Sequence, residues 1–412
     1  MMAAARGLIP DVIPFSPRID LWFNSNKVRG TLPGKYRNAK NADEIALSEG
    51  WALNKVILEF MAYGEDAISD RALGVYRIPT QGFISNLSED VKRKIYKNND
   101  EFHVEYRTPV GNISGTFVLN EEMRRSGISI PWIKEHTLKT PSDCRTLGFI
   151  FENIHVEPAY EEFLRWADNI GENGMPVAYA LTAGSPMHHI MKIFLDSTNF
   201  YYHYKDNHKE MLELEDKIGT YFKKVIDVIA ESPAEVILVG ANFDDMLTYP
   251  PFFKIHILPW LQMASDKFHQ KNKLLLSHTD GENKGLLDLL YESGIDIADS
   301  VCPYPMTKIS IGEYYRKWSN KITLMGGIPS NIMLKDCSSD AGFDEFVEKL
   351  FIDVYPGTRF ILGIADNTPP DADFERLRRI QKKVNQLSSF PFSKKERYIE
   401  VKNSLEDNQS KT

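Results

Sequence analysis

Residues 273–281 read KLLLSHTDG, a short apolar run that stops in a histidine, a threonine, a carboxylate and a glycine. Five further runs share that rhythm: 177–183 (VAYALTA), 235–240 (EVILVG), 295–301 (IDIADSV), 322–328 (ITLMGGI) and 359–365 (RFILGIA). Helical spacing of apolar residues separates them, at 208–231, 252–270, 283–293, 311–318, 341–351 and 372–388. Continuous apolar strands alternating with helices predict a parallel sheet covered on both faces. Six such units favour an α/β fold of the (β/α)8 TIM-barrel type, with an open doubly wound sheet as the second architecture. The two remaining strands are expected from the N-terminal half, at 19–23 (IDLWF) and near 147–154.

The first 150 residues are less regular. A helix is expected over 44–62 (EIALSEGWALNKVILEFMA), and 102–119 (FHVEYRTPVGNISGTFVL) alternates around Pro109-Val110-Gly111-Asn112 as a β-hairpin does. There is no internal repeat and no low-complexity linker. One barrel over 1–392 is therefore expected, with residues 1–150 as an N-terminal extension and hairpin insertion that builds the mouth. Residues 393–412 form a polar tail.

The chain has 412 residues, 42% hydrophobic and 26% charged, with a formal net charge of −8. That mix excludes collagen-like, coiled-coil and disordered classes. The acidity argues against coating nucleic acid or an anionic membrane. No run of about 18 apolar residues predicts a membrane span. The three cysteines, Cys144, Cys302 and Cys337, are too few and too scattered for a disulfide framework. They point to a reducing cytoplasm.

In a parallel α/β fold, chemistry sits where strands end. Asn242, Asp244 and Asp245 follow 235–240; His278 and Asp280 close the 273–281 stretch; Cys302 and Tyr304 follow 295–301. Gly326 and Gly327 end the next run, and Asp366 follows the last. A histidine, carboxylates and a thiol on one edge suit a metal site or acid/base chemistry. Each also has a plainer role open to it. His278 could be a hydrogen-bonded core residue, Asp244 and Asp245 helix caps, Asp366 a turn former, Cys302 a small buried apolar group. Gly326-Gly327 allows either close approach to a ligand or only a tight turn. Trp22, Tyr249 and Tyr304 are candidates for a stacking wall. His188-His189 is expected to be partly solvated. Gly281-Glu282-Asn283-Lys284-Gly285 matches no phosphate-binding loop.

From Met175 to about Ile380 these pieces together resemble the uroporphyrinogen decarboxylase-like superfamily. The matching residues are Asn242-Phe243-Asp244-Asp245, Pro250-Pro251-Phe252-Phe253, Pro259, His278-Thr279-Asp280-Gly281, Gly294-Ile295-Asp296, Gly326-Gly327-Ile328-Pro329 and Thr368-Pro369-Pro370. Upstream, Tyr106-Arg107-Thr108-Pro109-Val110-Gly111 resembles a hairpin of some members. The resemblance implies a (β/α)8 barrel and two activities, tetrapyrrole decarboxylation and corrinoid-dependent methyl transfer. Decarboxylases of the group carry an Arg-rich segment near the N-terminus; here Arg18-Ile19-Asp20-Leu21-Trp22-Phe23-Asn24 lacks it, and a polycarboxylate needs several cations. Thiol-loading methyltransferases of the group hold zinc through His-x-Cys and a distant Cys; here Asp280 stands where that pair needs Cys. A harder His/carboxylate set suits an oxygen leaving group.

The resemblance thus implies methyl transfer from a methoxylated or related small methylated molecule to cob(I)alamin, as in O-demethylation. It implies cobalamin on a separate corrinoid-binding protein, because the chain has no corrinoid motif of its own. A zinc ion on His278, Asp244, Asp280 and Cys302 is an expectation, as is a homodimer. His278, Asp244, Asp280 and Asp366 are the expected catalytic residues; Asn242, Asp245, Tyr249, Tyr304, Gly326, Gly327 and Trp22 are expected to line the substrate. A decarboxylase-like lyase, and a barrel that binds a tetrapyrrole or corrinoid without turnover, are the alternatives.

Overall fold

The computed structural model describes residues 1–56, 70–128 and 130–388. The expected polar tail lies outside them. Six strands precede the regular part: β1 (Phe83–Asn86), β2 (Lys92–Asn98), β3 (Glu101–Thr108), β4 (Gly111–Val118), β5 (Trp132–Glu135) and β6 (His155–Pro158). Strands β2-β3-β4-β5 form an antiparallel sheet, and β1 pairs with β6. The hairpin expected at 102–119 is β3–β4, closed by Thr108 opposite Gly111. Thr108 Oγ1 caps the turn by accepting the Val110 N–H at 3.2 Å. Phe102, Val104 and Tyr106 alternate inward along β3, as period two requires.

All six runs read as buried strands are strands: β7 (Val177–Leu181), β8 (Val236–Ala241), β9 (Leu274–His278), β10 (Ile297–Val301), β11 (Thr323–Ile328) and β12 (Phe360–Ile364). They form one parallel sheet in the order β12-β11-β10-β9-β8-β7. Helices His208–Ala230, Leu258–His269, Leu287–Glu292, Ile311–Trp318, Asp340–Asp353 and Phe374–Ser388 occupy the expected connections. Both sheet faces are covered, which is why the strands are apolar along most of their length. Val177, Tyr179, Val236, Leu238, Leu276, Ile297, Met325 and Ile361 gather in one cluster with Ala4 and Ala5. Their neighbours in each strand, among them Ala178, Ile237, Leu275, Ala298, Leu324 and Leu362, pack in the larger helix-facing cluster. The helix Met2–Ala5 is pinned beneath the first cluster, where Thr323 Oγ1 donates to the Ala4 and Ala5 carbonyls at 3.0 and 3.2 Å.

The two strands expected from the N-terminal half are helices instead. Residues 19–23 open the helix Asp20–Arg29, with Trp22, Phe23 and Asn26 buried at helical spacing and Gly30 closing it at φ 71°. Residues 147–154 largely fall in the helix Asp143–Glu152, where Cys144, Leu147, Ile150 and Phe151 make one buried stripe. A four-residue apolar run inside such a stripe reads equally well as a strand. Within the described residues, the helix expected over 44–62 covers Ala42–Ser48, and Gly50 follows at φ 74°. Residues 57–62 of that expectation lie outside the described residues.

Beside the sheet edges stand single bridges in place of strands. Leu362 N–H donates to Pro14 O at 2.9 Å, and Ser16 N–H to Leu362 O at 2.8 Å. Ala52 N–H then donates to Phe15 O at 2.9 Å, and Leu53 N–H to Asn173 O, just before β7, at 2.8 Å. No helix among the described residues is long and apolar enough to cross a membrane.

Candidate functional site

His278 is the last residue of β9, and its parallel partner across the sheet is Asp299 of β10. Nδ1–H donates to Asp299 Oδ2 at 2.6 Å, with both residues buried. The other ring nitrogen, Nε2, lies 3.7 Å from Asp366 Oδ1. Arg18 Nη1 donates to that same oxygen at 3.0 Å. Asp366 N–H in turn donates to Ser300 Oγ at 3.1 Å. Strands β9 and β10, the turn after β12 and the segment before Asp20 therefore converge on one arc: Asp299, His278, Asp366, Arg18.

The backbone around this arc is strained. Asn242, Ser300 and Asp366 adopt left-handed φ values of 59°, 58° and 54°. Non-glycine residues in that region cost about 1 kcal/mol or more each and cluster where function demands a fixed geometry. Gly326 has φ 124°, and a Cβ there would sit 2.9 Å from both N and O of Val301. Only glycine lets β11 approach the end of β10 this closely.

Burial raises the Asp280 carboxyl above its ordinary range; His278 opposes this and Asp366 and Asp299 add to it. Asp280 thus favours its protonated form more than a surface aspartate does. Burial likewise pushes the Cys302 thiol up to about 12, with Asp280, Asp366 and Glu282 contributing. It stays a thiol at neutral pH, and a thiol is a poor nucleophile. Asn242 joins Asp280 to a cation: its Nδ2 donates to Asp280 Oδ2 at 3.4 Å, and its Oδ1 accepts from Lys192 Nζ at 2.9 Å. Burial lowers the Lys192 ammonium to about 7; nearby Arg71 lowers it further and Asp280 opposes. Asn242 and Lys192 also line a cavity of 580 Å³.

The other expected site residues have different surroundings. Asp244 Oδ1 accepts the N–H groups of Met246 and Leu247 at 2.9 and 3.2 Å, and Oδ2 that of Glu282 at 3.4 Å. Asp245 Oδ2 accepts the Gly285 N–H at 2.8 Å. One oxygen of each carboxylate ties the β8 loop to the β9 loop. Trp22 is buried and stacks on Phe374 at 4.8 Å, within the core. Tyr249 packs on Phe252 and Tyr201, while Tyr304 stands exposed on the loop after β10. His188 and His189 are buried, not partly solvated. His188 Nδ1 accepts the Gly184 N–H at 3.2 Å, and His189 Nε2–H donates to Leu73 O at 2.7 Å.

Among the described residues, no three His, Cys, Asp or Glu side chains are grouped so as to hold a metal ion. Of the donors named for zinc, Nδ1 of His278 is taken by Asp299 and both Asp244 oxygens by backbone N–H groups.

Asp299, Arg18 and Lys192 belong to the site without standing out as candidates in the sequence. Asp299 could have been found, because Asp299-Ser300 is a polar pair inside an otherwise apolar strand. A buried carboxylate needs a partner. Arg18 carried no such signal; 348 positions separate it from Asp366.

No family model matches this chain, and no curated protein does. Among solved structures it is similar to a methyltransferase from Methanosarcina mazei, at 12% sequence identity and a TM-score of 0.53. The match covers 93% of this chain and 96% of the other. What the two chains share is the fold: a mixed α/β architecture built on a parallel sheet, along nearly the whole of both lengths.

Proposed function

We propose that this chain is a corrinoid-dependent methyltransferase of the uroporphyrinogen decarboxylase-like superfamily, moving a methyl group from an ether or related methylated substrate to cob(I)alamin on a separate corrinoid protein. The observation that carries this is the arc at the strand ends, where a buried His278–Asp299 pair lies near Asp280, whose carboxyl burial shifts toward its protonated form. The fold shared with a methyltransferase supports it. So does the run of backbone bonds through 14–16 and 52–53, which suits a (β/α)8 barrel with two abbreviated positions. The first 150 residues act as mouth walls in this account; Ile130 and Trp132 line the cavity together with Lys192 and Asn242. Three free cysteines support a reducing, cytoplasmic setting for the reaction.

Breaking a methyl–oxygen bond leaves an alkoxide or phenolate, a poor leaving group at neutral pH. Cob(I)alamin supplies the nucleophile that takes the methyl group. What the chain must supply is a proton at the leaving oxygen. Asp280 Oδ2 accepts the Asn242 amide, so Oδ1 is left to carry that proton. Asp299 fixes the tautomer and plane of His278, which leaves Nε2 as the basic nitrogen, able to take up a proton from solvent and pass it to Asp280. Arg18 holds Asp366 at 3.0 Å and so keeps that carboxylate beside Nε2. In this account the acid's part falls to Asp280. Exposed Met246, Tyr304 and Met306 on the loops after β8 and β10 give the mouth an apolar rim suited to a docking macrocycle.

A decarboxylase-like lyase is the second reading, favoured by the same raised Asp280 carboxyl, which in its acid form could protonate a carbanion. Product analysis separates the two. Methoxylated substrates incubated with the protein and cob(I)alamin should yield the free alcohol or phenol without carbon dioxide. Carbon dioxide from a carboxylated substrate, with no demethylated product from any methoxylated one, would replace the first reading by the second.

A further inference from the structure

The short helix Pro186–His189 follows β7 and carries His188 into the wall of the 580 Å³ cavity beside Asn242. Ser185 Oγ accepts the His188 N–H at 3.1 Å, and the ring packs on Phe243 with centroids 5.5 Å apart. The residue is 1% exposed. Its Nδ1 accepts the Gly184 N–H at 3.2 Å. A backbone N–H can only donate, so Nδ1 is the bare nitrogen. Burial pushes the ring's ionisation well below the usual histidine range, with Lys192 and His189 adding to it. The ring is therefore neutral, and its proton sits on Nε2. That N–H has no acceptor among the described residues.

The other polar groups on the wall have partners. Lys192 Nζ donates to Asn242 Oδ1 at 2.9 Å, and Arg71 Nη1 to the Tyr76 hydroxyl at 3.1 Å. Asp196 Oδ1 accepts the Asn199 N–H at 2.9 Å and Oδ2 the Asn199 amide at 2.6 Å. Thr248 Oγ1 donates to Asp244 O at 2.8 Å, and His136 Nδ1–H to Ile193 O at 2.9 Å. The rest is largely apolar, with Ile130, Trp132, Met191, Leu195 and Leu247 prominent. The volume suits a small molecule. A ligand with no acceptor would leave the buried His188 N–H unpaired, which is costly. We infer that this cavity binds a small molecule with an aromatic body and an acceptor oxygen, the body against Trp132 and Met191 and the oxygen on His188 Nε2–H. His188 is then the residue that selects for oxygen. The site stands on these contacts alone; under the methyltransferase reading its ligand is the methyl donor.

Binding can be measured without any corrinoid, by calorimetry with two probes of one shape. Acetophenone has a carbonyl oxygen where α-methylstyrene has a methylene carbon. Acetophenone should bind at least about tenfold more tightly to the wild type. His188→Phe should abolish that preference, and His188→Gln, whose amide N–H can take the place of Nε2–H, should keep most of it. Nitrogen-15 NMR of the wild type gives a readout that needs no variant. The His188 ring should show the Nε2–H tautomer at pH 7, and its Nε2–H proton should shift downfield with acetophenone and not with α-methylstyrene. Equal affinity for the two probes, no binding of either, or a His188 proton on Nδ1 would overturn the inference. Methyl transfer from ethers by a protein with no oxygen preference would overturn it and leave the proposed function standing. Oxygen-dependent binding without methyl transfer to cob(I)alamin would sustain the cavity and sink the methyltransferase reading.

Discussion

His278 and Asp299 are register partners on adjacent parallel strands, and their side chains meet through a 2.6 Å Nδ1–H···Oδ2 bond in a buried setting. The pairing is rigid because two strands of the sheet hold it. Removing the acceptor's charge while keeping its shape should release the ring from its tautomer. Asp299→Asn is expected to lower kcat for methyl transfer by about 10²-fold or more, with KM little changed. Steady-state kinetics beside circular dichroism checks this; a fall in KM-normalised rate that tracks lost helicity would mean a structural role only.

Asp280 provides a second test, through leaving groups. If it protonates the departing oxygen, Asp280→Asn should slow alkyl ethers by about 10²–10⁴-fold and nitro-substituted aryl ethers far less, since those leave without help. The pH profile carries the same information. Its carboxyl is raised by burial, so the active acid form is present below that raised value and lost as pH climbs through it. The wild-type rate should fall on the alkaline side, and the Asn variant should lose that limb.

Glu49 tests the frame that surrounds the mouth. It accepts from Arg378 Nη2 at 2.7 Å and Nε at 3.1 Å, and from Tyr36. These bonds join the N-terminal segment to the helix Phe374–Ser388. The Arg378 hydrogen bonds chiefly hold its carboxyl down to about 2 from an ordinary 4.5. The depressed value means the stabilisation is present above about 4.5 and is lost as pH falls toward 2. Glu49→Gln should cost about 1–3 kcal/mol at neutral pH, with the deficit shrinking in that acid window. Chemical denaturation at pH 7 and pH 3 would show it.

The six strands were readable because burial on both faces leaves an unbroken apolar run, as in 235–240 and 322–328. Nothing comparable marks 14–16 or 52–53, where single bridges stand beside the sheet, and the runs at 19–23 and 147–154 belong to helix faces. At the site, His278, Asp280 and Asp366 could be picked out because strand ends are where a parallel sheet exposes side chains. Asp244 and Asp245 have the same composition and position, yet their oxygens serve backbone donors; only three-dimensional placement separates these cases. Arg18 and Lys192 reach the site through long-range packing that no local pattern encodes.

The central claim is that the arc around His278 serves methyl transfer from an ether to cob(I)alamin. Its most direct test is anoxic absorbance spectroscopy of free cob(I)alamin mixed with the purified protein and a panel of methoxylated substrates. The account predicts that the cob(I)alamin band decays with one equivalent of demethylated product formed, and that His278→Ala slows this by about 10²-fold or more. A cob(I)alamin band that persists with every methoxylated substrate, or a His278→Ala variant as fast as the wild type, would contradict it.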